Sequence, residues 1–504
     1  MSKGYVLALD MGTSSVKCMV ADLKGKPHAL TRQEISYSSP EALSPMAREF
    51  SPDAIWDAIC QLIQRSLKMA GLEGKDVAVV SATSQREGMV VLDAEGQEIY
   101  AGPNQDVRAF FEGMALDEAH GEAIYSITGH LPSFLFAPAK LKWLRSHCPE
   151  EFNKAHKVLP VCGWLTFKLC GQAHGERSAM GEIGLLDLST GECDRSLLGY
   201  IEVDQKVLPA LGDAGDVVGK VTPQAATATG LKEGALVVLG GPDTQCGLLG
   251  MTVTEEGQLG ILAGWSAPLQ LVISSPLLDQ KKRTWTGCHV VPHRWVLESS
   301  ATAAGDSLEW LGGVLGAGYN EGLGSDADPS EETAALGQDQ AVAFLGPRVM
   351  NCNRMGLQLG GVLFPVPVVQ TSIGKPHLLR AALENLAFAI KGNYLQLREI
   401  AGLEVSEVWL GGGVANIIAF PQLVADTLDM PVQVPATKDV TLLGAAMCGA
   451  VGIGAYPSLR EAAIGMRGAV STVCPVRDSV SSLEERYQRW WSLYRALEGL
   501  SQEL

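Results

Sequence analysis

The stretch from Asp10 to Lys17 has the composition of an anion-binding turn. Gly12 lets the backbone turn tightly, and the hydroxyls of Thr13 and Ser14, together with backbone N–H groups, can then face an anion. Lys17 adds positive charge nearby. Apolar runs on both sides predict strands, so this turn joins two strands, whereas a P-loop leads into a helix. For this motif alone, an Asp-Gly hairpin turn without function is the alternative.

A second stretch of similar composition lies near the middle of the chain. The apolar run 236–239 leads into the loop 240–247, which contains Asp243, and the run 259–262 leads into the loop 263–266. We interpret this strand–loop–strand arrangement as an echo of the first. Two similar halves that face each other across a cleft would let both loops hold one polyphosphate.

Mixed charges follow the predicted buried strand 77–82, where ligand sites in α/β sheets lie. Arg86 and Glu87 stand side by side and can donate to and accept from the adjacent hydroxyls of a polyol. Such pairing matters because a desolvated hydroxyl left unpaired costs about 1–3 kcal/mol. Asp106 is predicted to be a second hydroxyl acceptor, with Arg108 as its orienting partner. A surface ion pair is the alternative for Arg86 and Glu87.

The bulk composition excludes several classes of protein. The chain has 504 residues, of which 46% are hydrophobic and 19% charged, so we expect two to three globular domains. Its net charge of −17 disfavours nucleic acid or an anionic membrane as the main partner. Neither a signal peptide nor a membrane span is predicted. The 11 cysteines have no framework spacing, which indicates reduced thiols and a cytoplasmic location.

The elements that must position these residues follow the α/β pattern of strand, helix and strand. Helices are predicted over 52–70, 377–401 and 483–497, and a buried strand over 408–410 runs into three glycines. Bare backbone at 411–413 would let a planar ligand lie close. Residues 213–235 are predicted to approach a domain boundary, and the acid-rich residues 316–339 an exposed linker or lid.

Four motifs in order extend over nearly the whole chain. They are Asp10-x-Gly-Thr, Gly241-Pro242-Asp243, the glycines 411–413, and Thr441-x-x-Gly-Ala-Ala. In this order and spacing the chain resembles the FGGY family of carbohydrate kinases. The resemblance implies two actin-like (ribonuclease H-like) α/β ATPase domains flanking a central cleft. They would cover 1–241, with the sugar site and first phosphate loop, and 242–504, with the nucleotide site.

The resemblance also implies roles for individual residues. Asp243 matches the catalytic base, which would accept the proton of the attacking sugar hydroxyl. Asp10 matches the carboxylate that holds Mg²⁺ through water, with Asp243 also near the metal. The other matching positions are the first phosphate loop (Gly12, Thr13, Ser14 and Lys17), the second (Gly264 and Ser266), the nucleotide contacts (Gly305 and Glu309), the adenosine pocket (Gly412, Gly413 and Asn416) and the sugar contacts (Gln85, Arg86, Glu87, Asp106 and Asp243).

One position departs from the family pattern. The second phosphate loop of the family usually reads Gly-Thr, whereas Gly264 is followed here by Trp265, with Ser266 one residue later. A tryptophan cannot act there as a hydroxyl does. Either Ser266 takes over or the phosphates are held more weakly. This departure favours the alternative of a non-catalytic actin-like nucleotide-binding protein, whereas the presence of both Asp10 and Asp243 favours a kinase.

The Arg86-Glu87 pair bears on the substrate, because xylulose kinases usually have Met-His there. Arg-Glu is similar to glycerol kinases and to autoinducer-2 kinases. The latter are also similar in Ser81-Ala82-x-Ser84-x-Arg86-Glu87-Gly88, Asp106-x-Arg108-Ala109 and His289-Val290-x-Pro292. The expected reaction is therefore ATP-dependent phosphorylation of a terminal hydroxyl of a five-carbon ketose-like sugar, D-xylulose or the autoinducer-2 precursor, with glycerol as the alternative. A small-molecule partner is expected; the sequence leaves a homodimer open.

Overall fold

A computed structural model describes residues 4–40, 45–316, 341–354, 356–366, 373–501 and 503. The predicted linker or lid at 316–339 falls, except for its first residue, outside the described residues. Within those that are described, strands and helices alternate as the sequence predicts, and two large sheets dominate the fold.

The first half of the chain builds one large sheet and three small ones. Its strands are β1 (Tyr5–Met11), β2 (Ser15–Ala21), β3 (Pro27–Glu34), β4 (Val77–Ser84), β5 (Met89–Leu92), β6 (Glu98–Gly102), β7 (Lys157–Pro160), β8 (His174–Glu176), β9 (Leu186–Asp187), β10 (Glu192–Cys193), β11 (Ala210–Gly212), β12 (Val217–Lys220) and β13 (Leu236–Pro242). Its helices are α1 (Pro52–Ala70), α2 (Phe110–Thr128), α3 (Ala137–His147), α4 (Pro149–Phe152), α5 (Val161–Cys170), α6 (Arg177–Glu182), α7 (Arg195–Tyr200), α8 (Pro223–Thr229) and α9 (Asp243–Gly250).

The second half builds the other large sheet and a two-stranded one. Its strands are β14 (Gln258–Leu262), β15 (Pro268–Ile273), β16 (Trp285–Cys288), β17 (Trp295–Ser300), β18 (Val342–Phe344), β19 (Gly361–Leu363), β20 (Glu407–Gly411), β21 (Val432–Pro435) and β22 (Val470–Val473). Its described helices are α10 (Ala304–Val314), α11 (Lys375–Ala401), α12 (Phe420–Leu428), α13 (Val440–Gly452), α14 (Leu459–Met466) and α15 (Arg477–Ser501). Short 3₁₀ turns occupy Ser133–Leu135, Gln205–Val207 and Val414–Asn416.

The first large sheet has the strand order β12-β13-β4-β1-β2-β3. Strands β13, β4 and β1 are parallel neighbours, and β2 folds back on β1 as a hairpin. Their continuous apolar runs are buried because helices cover both faces. Helix α1 covers one face, and it begins and ends where the sequence predicts: the Ser51 side chain accepts from Ala54 N, and Gly71 has φ +66°.

The second large sheet has the order β16-β17-β15-β14-β20-β21-β22. Its β14–β15 hairpin occupies the place that β1–β2 has in the first sheet, with β20 as the parallel neighbour of β14. The core of this half lies between the sheet and helices α11, α12 and α15. The internal repeat of the sequence is therefore this hairpin, and its loop is 263–267.

Helices α9 and α13 cross between the two sheets. Helix α13, from the second half, packs on β1, β4 and β13, whereas α9 packs against the second sheet. Glycines allow the close crossing: a Cβ on Gly444 would lie 1.8 Å from Cys246 O, and one on Gly250 would lie 2.0 Å from Val440 O. The two halves thus share a buried contact in which glycines let the backbones of α9 and α13 approach closely.

Three details correct the sequence interpretation. Asp243 is not in a loop between strands, because helix α9 begins at that residue. Residues 213–235 are integral to the first half: they contain β12, which pairs with β13, and helix α8. The 19-residue helix α2, which ends before Gly129, has no counterpart among the helices predicted from the sequence. The domain boundary at 241/242, which falls just before the last residue of β13, stays a prediction.

Two further properties of the described residues are the apolar length of the helices and the state of the cysteines. Within the described ranges, no helix combines the length and apolar character needed to span a bilayer. All 11 cysteines are described and free, and Cys162, Cys170 and Cys448 are buried.

Candidate active site

Two aspartates lie at one edge of the first sheet. Asp10 near the end of β1 pairs in register with Thr83 of β4, and Thr83 pairs with Gly241 at the end of β13. Asp243 follows two residues later. Because β1, β4 and β13 are parallel, their carboxyl ends bring the two carboxylates to the same edge. The two carboxyl groups also interact electrostatically: after desolvation, the charge of Asp10 is the next cause that raises the pKa of Asp243.

The local sequence explains how Asp243 is placed. The register between β13 and β4 shifts between Leu239 and Gly241, and a Cβ on Gly240 would lie 2.2 Å from Ala82 O. Only glycine fits this irregular strand end. Pro242 then opens helix α9, and the Asp243 Oδ1 atom accepts a hydrogen bond of 2.8 Å from Thr244 N. The carboxylate is therefore fixed at the first residue of a helix, where negative charge is favoured.

Burial changes the protonation of both carboxyl groups. Desolvation raises the pKa of Asp10 to about 6, opposed by the charge of Lys17. Desolvation and then Asp10 raise the pKa of Asp243 to about 7, opposed by the charge of Arg86. A carboxylate with a pKa near neutral is a stronger base than an ordinary aspartate, as a general base requires.

Asp10 has the properties of a cation ligand. It is only 6% exposed, and its Oδ1 atom is buried without a hydrogen-bond partner. Carboxylate oxygens are the ligands that Mg²⁺ prefers, and this ion is commonly held by one or two carboxylates, water and substrate phosphates. Among the described residues no group of three or more His, Cys, Asp or Glu side chains could hold a metal. The buried, unpartnered Oδ1 atom of Asp10 therefore fits an Mg²⁺ ion whose other ligands are substrate and water.

Hydrogen bonds from neighbouring residues support the first phosphate loop. Gly12 N donates to Ser15 O at 3.0 Å, the Thr13 Oγ1 atom accepts from Asn104 Nδ2 at 2.9 Å, and Ser14 is exposed. Gln85 donates through Nε2 to Gly12 O and accepts through Oε1 from Asn104 N. Gln85 therefore supports the loop, and its direct contact with a sugar stays a prediction.

Lys17 lies beside Asp10 across the β1–β2 hairpin. Its Nζ atom is 2.7 Å from Asp439 Oδ1, at the start of helix α13 in the other half. The predicted positive charge is thus present at the loop, but in this arrangement it forms an ion pair between the two halves.

Arg86 is at the centre of a buried group of carboxylates. Its Nη1 and Nη2 atoms donate to Glu298 at 2.5 and 2.9 Å, and Nη1 also donates to Glu182 at 3.2 Å. The guanidinium lies 5.5 Å from the ring centre of Trp285. A guanidinium has five N–H donors. Three are used here, and the other two form no hydrogen bond within the described residues.

Glu87 and Asp106 differ in accessibility. The Glu87 carboxyl lies 3.7 Å from Arg86 Nε, and burial raises its pKa to about 8, opposed by Arg86. Asp106 is fully buried, and its two oxygens accept from Arg108 Nε, Arg48 N and the Tyr100 hydroxyl. The predicted pairing of Asp106 with Arg108 is confirmed, whereas its contact with a sugar hydroxyl stays a prediction.

The second half supplies a matching pair of backbone loops. A Cβ on Gly305 would lie 2.6 Å from Gly264 O, and one on Gly412, which has φ +95°, would lie 2.4 Å from Ala263 O. These glycines let the loop 263–267 pack against both the start of α10 and the end of β20. Gly413 has no heavy atom within 4 Å of an added Cβ. The structure therefore brings together the predicted nucleotide positions 264, 305, 412 and 413.

The outer members of this set are exposed. Asn416 Nδ2 donates to Gly412 O and Gly413 O, at 3.3 and 3.2 Å, which closes the glycine turn. Glu309 lies on α10, one turn beyond Gly305. Trp265 is 55% exposed, and its carbonyl accepts from Ala304 N and Gly305 N at the start of α10.

Replacing Ser266 with alanine is expected to raise the KM for ATP about 10-fold, because one hydrogen bond to a charged phosphate contributes about 1.5 kcal/mol. The KM for the sugar should change by less than about twofold. Steady-state kinetics with each substrate varied would measure both. The double variant S266A/W265T restores a hydroxyl next to the lost one and should recover part of the ATP affinity. An unchanged KM for ATP in S266A would assign the phosphate contact to another group.

Several side chains that contact the candidate site residues are not predicted from the sequence: Lys140, Glu182, Trp285, Glu298 and Asn104. Glu298 could have been noticed, since it is a charged residue inside the otherwise apolar or small strand β17. His289 was noted only as part of a motif. It is buried and neutral, accepts from Val291 N through Nδ1, and holds the turn whose Val290 packs behind Gly241.

The paired sheets, the two crossing helices and the loops at the shared edge are those of the actin-like ATPase fold. The chain belongs to the FGGY family of carbohydrate kinases. Residues 5–250 match the N-terminal domain of that family, and residues 263–453 match its C-terminal domain.

Individual proteins are similar over the full length. The autoinducer-2 kinase of Salmonella paratyphi A is 29% identical over 501 residues, covering 97% of this chain and 94% of the relative. The crystal structure of a xylulose kinase from Brucella ovis has a TM-score of 0.82 at 24% identity, covering 98% of this chain and 100% of that one. The gluconate kinase of Lactobacillus acidophilus has a TM-score of 0.85 at 18% identity, with 100% of both chains covered.

Proposed function

We propose that this chain transfers the γ-phosphoryl group of ATP to a terminal hydroxyl of an uncharged, five-carbon ketose-like sugar. The observation that carries the proposal is the placement of Asp10 and Asp243 at one sheet edge, with the pKa of each raised towards neutrality and the Arg86–Glu87 pair beside them. One carboxylate near a phosphate loop and a second near hydroxyl-binding groups are the two parts that phosphoryl transfer to an alcohol needs.

Asp243 acts as the general base in this proposal. It accepts the proton of the sugar hydroxyl as that oxygen forms its bond to the γ-phosphorus and the bond to the β-phosphate oxygen breaks. The Thr244 N–H holds the carboxylate in place. The two free donors of Arg86 and the Glu87 carboxyl bind neighbouring hydroxyls, so the attacking oxygen is oriented.

The triphosphate lies between the two glycine loops, 12–14 and 263–266. Backbone N–H groups and the hydroxyls of Thr13, Ser14 and Ser266 face it, and the adenosine lies on the bare backbone at 412–413, next to Asn416. Asp10, with Asp243 nearby, would hold Mg²⁺, which when bound neutralises charge on the phosphate oxygens. Asp10 keeps a buried, unpaired oxygen for this purpose.

The charges around the sugar site favour a neutral substrate. Arg86 is already paired with Glu182 and Glu298, and Glu87 and Asp243 add further carboxyl groups. A sugar acid would bring another carboxylate into a buried group where acids outnumber bases, and its desolvation would not be compensated.

D-Xylulose and the precursor of autoinducer-2 are the leading candidates, because the Arg86-Glu87 motif and the full-length similarity to autoinducer-2 kinases both agree with a five-carbon hydroxyketone. Glycerol is the alternative substrate. A non-catalytic nucleotide-binding protein is the alternative from another class, and the exposed Trp265 in the second loop is the feature that favours it. A cytoplasmic location and a homodimer stay predictions.

The test is ADP release with a panel of matched neutral and acidic compounds: D-xylulose, the autoinducer-2 precursor and glycerol, each with its corresponding acid where one exists, such as glycerate. We expect activity with a five-carbon ketose-like member and none with the acids. The D243A variant is the control for background ATP hydrolysis. Comparable turnover of an acid and its neutral partner would contradict the neutral substrate class, and no turnover of any member would favour the non-catalytic alternative.

A further inference from the structure

Lys140 is a buried charge that the proposed reaction does not use. It lies on helix α3, its side chain is completely inaccessible to solvent, and neither neighbour in the chain is charged. A buried lysine without a compensating role is rare, because desolvation disfavours the ammonium form. Its position therefore calls for a functional explanation.

The ammonium group of Lys140 binds the turn that carries Arg86 and Glu87. Its Nζ atom donates to the backbone carbonyl of Glu87 at 2.9 Å, which is the one hydrogen bond that it forms within the described residues. The carboxylates of Asp106 and Glu87 supply the negative charge that opposes the effect of burial on its pKa. The charge of Lys140 thus interacts with two residues that are predicted to contact the sugar, Glu87 and Asp106.

The carbonyl that Lys140 binds belongs to an unusual backbone position. Glu87 has φ +58°, in the left-handed region that non-glycine residues rarely adopt. The following residue is restricted too: Gly88 N donates to Arg86 O at 2.7 Å, and a Cβ on Gly88 would lie 3.0 Å from Val161. A backbone conformation of this kind persists only where its surroundings hold it.

We propose that Lys140 is a positioning residue for the sugar site, which holds the Arg86–Glu87–Gly88 turn in the conformation that places the Glu87 carboxyl beside Arg86 and Asp243. It does so by donating a hydrogen bond from Nζ to the Glu87 carbonyl. The sugar part of this inference rests on the proposed function. The bracing of the turn itself does not.

The first experiment compares K140M with K142M, a matched control two residues along the same helix whose side chain is partly exposed. Hydrogen–deuterium exchange of the peptide covering 84–90 needs no substrate. We expect amides of this turn to exchange at least about tenfold faster in K140M than in the wild type and unchanged in K142M. Equal exchange in all three proteins would overturn the proposal.

The second experiment measures kinetics with the sugar that the panel identifies. K140M should raise the KM for the sugar about 10-fold and leave the KM for ATP within about twofold. In a Glu87→Ala background the same substitution should change the sugar KM by less than about twofold, since Lys140 acts through Glu87. Equal effects with and without the Glu87 carboxyl, or equal effects on both substrates, would overturn the positioning role.

Lys140→Gln provides a second test in case K140M does not fold, because glutamine keeps an N–H donor without the charge. If K140M does not fold, K140Q should give an intermediate increase in exchange at 84–90, and wild-type exchange there would overturn the proposal. An enzyme inactive on the whole panel would remove the proposed function. The exchange experiment would still decide whether Lys140 holds the turn.

Discussion

Replacing Asp243 with alanine is expected to abolish phosphoryl transfer and leave ATP binding intact. Asp243 is placed by the irregular end of β13 and the start of α9, and desolvation raises its pKa to about 7. A general base in this position contributes about 10²–10⁴-fold to the rate. The loss should therefore appear in kcat at saturating sugar and ATP, measured by ADP release, and ATP affinity should be retained in equilibrium titration.

The pH dependence of the wild type provides an independent check. A base is active when ionised, so kcat/KM should fall as the pH drops below about 7, the value to which the pKa of Asp243 is raised. D57N, at an exposed position on α1, is the control for loss of one carboxylate from the protein. Full activity in D243A would refute the assigned base.

Replacing Arg86 is expected to have the second largest effect, on the binding of sugar. The two guanidinium N–H groups not used by Glu182 and Glu298 are the donors proposed for sugar hydroxyls. Each hydrogen bond to a charged group contributes about 1.5–3 kcal/mol, so R86A should raise the sugar KM about 100-fold or more. The KM for ATP should change little. Equal effects on both values would remove Arg86 from the sugar site.

Stability must be measured in parallel, because R86A leaves two buried carboxylates unpaired. Removal of one partner of a buried ion pair costs about 3–5 kcal/mol. The matched variant is R86M with Glu298→Gln, which also removes one of the stranded charges. We expect a higher melting temperature in the double variant than in R86A, with an equally poor sugar KM. Recovery of the sugar KM in the double variant would show that the R86A defect came from misfolding.

Most of the fold follows from local signals in the sequence. Helix α1 has a serine cap, a proline at its first residue and a glycine stop, and each is visible in the chain. Helix α2 was missed, because it contains Gly113 and Gly121, which weaken a helical pattern. The structure explains the first of these by packing, since a Cβ on Gly113 would lie 2.3 Å from the backbone of Phe134. A contact between distant segments leaves no local pattern.

The candidate site also has a part that local sequence patterns predict and a part that depends on contacts between distant segments. Asp10 and the glycine loops could be predicted, because strand ends and runs of small residues are visible in the local sequence. The supporting groups could not: Glu298 lies 212 residues from Arg86, and Lys140 lies 53 residues from the carbonyl that it binds. Lys17 was predicted at the phosphate loop, yet its partner Asp439 lies 422 residues away. Such pairings depend on how the two sheets face each other.

The contact between Arg86 and Glu298 has a consequence for protein engineering and for the divergence of such enzymes. Arg86 lies in the turn that follows β4 of the first sheet, whereas Glu298 lies in β17 of the second sheet. A chimaera that joins the first half of this chain to the second half of a relative without a glutamate at this position would keep only one member of the pair. Its selectivity for sugars should fail although neither parental segment carries a mutation, and co-transfer of the matching partner should restore it.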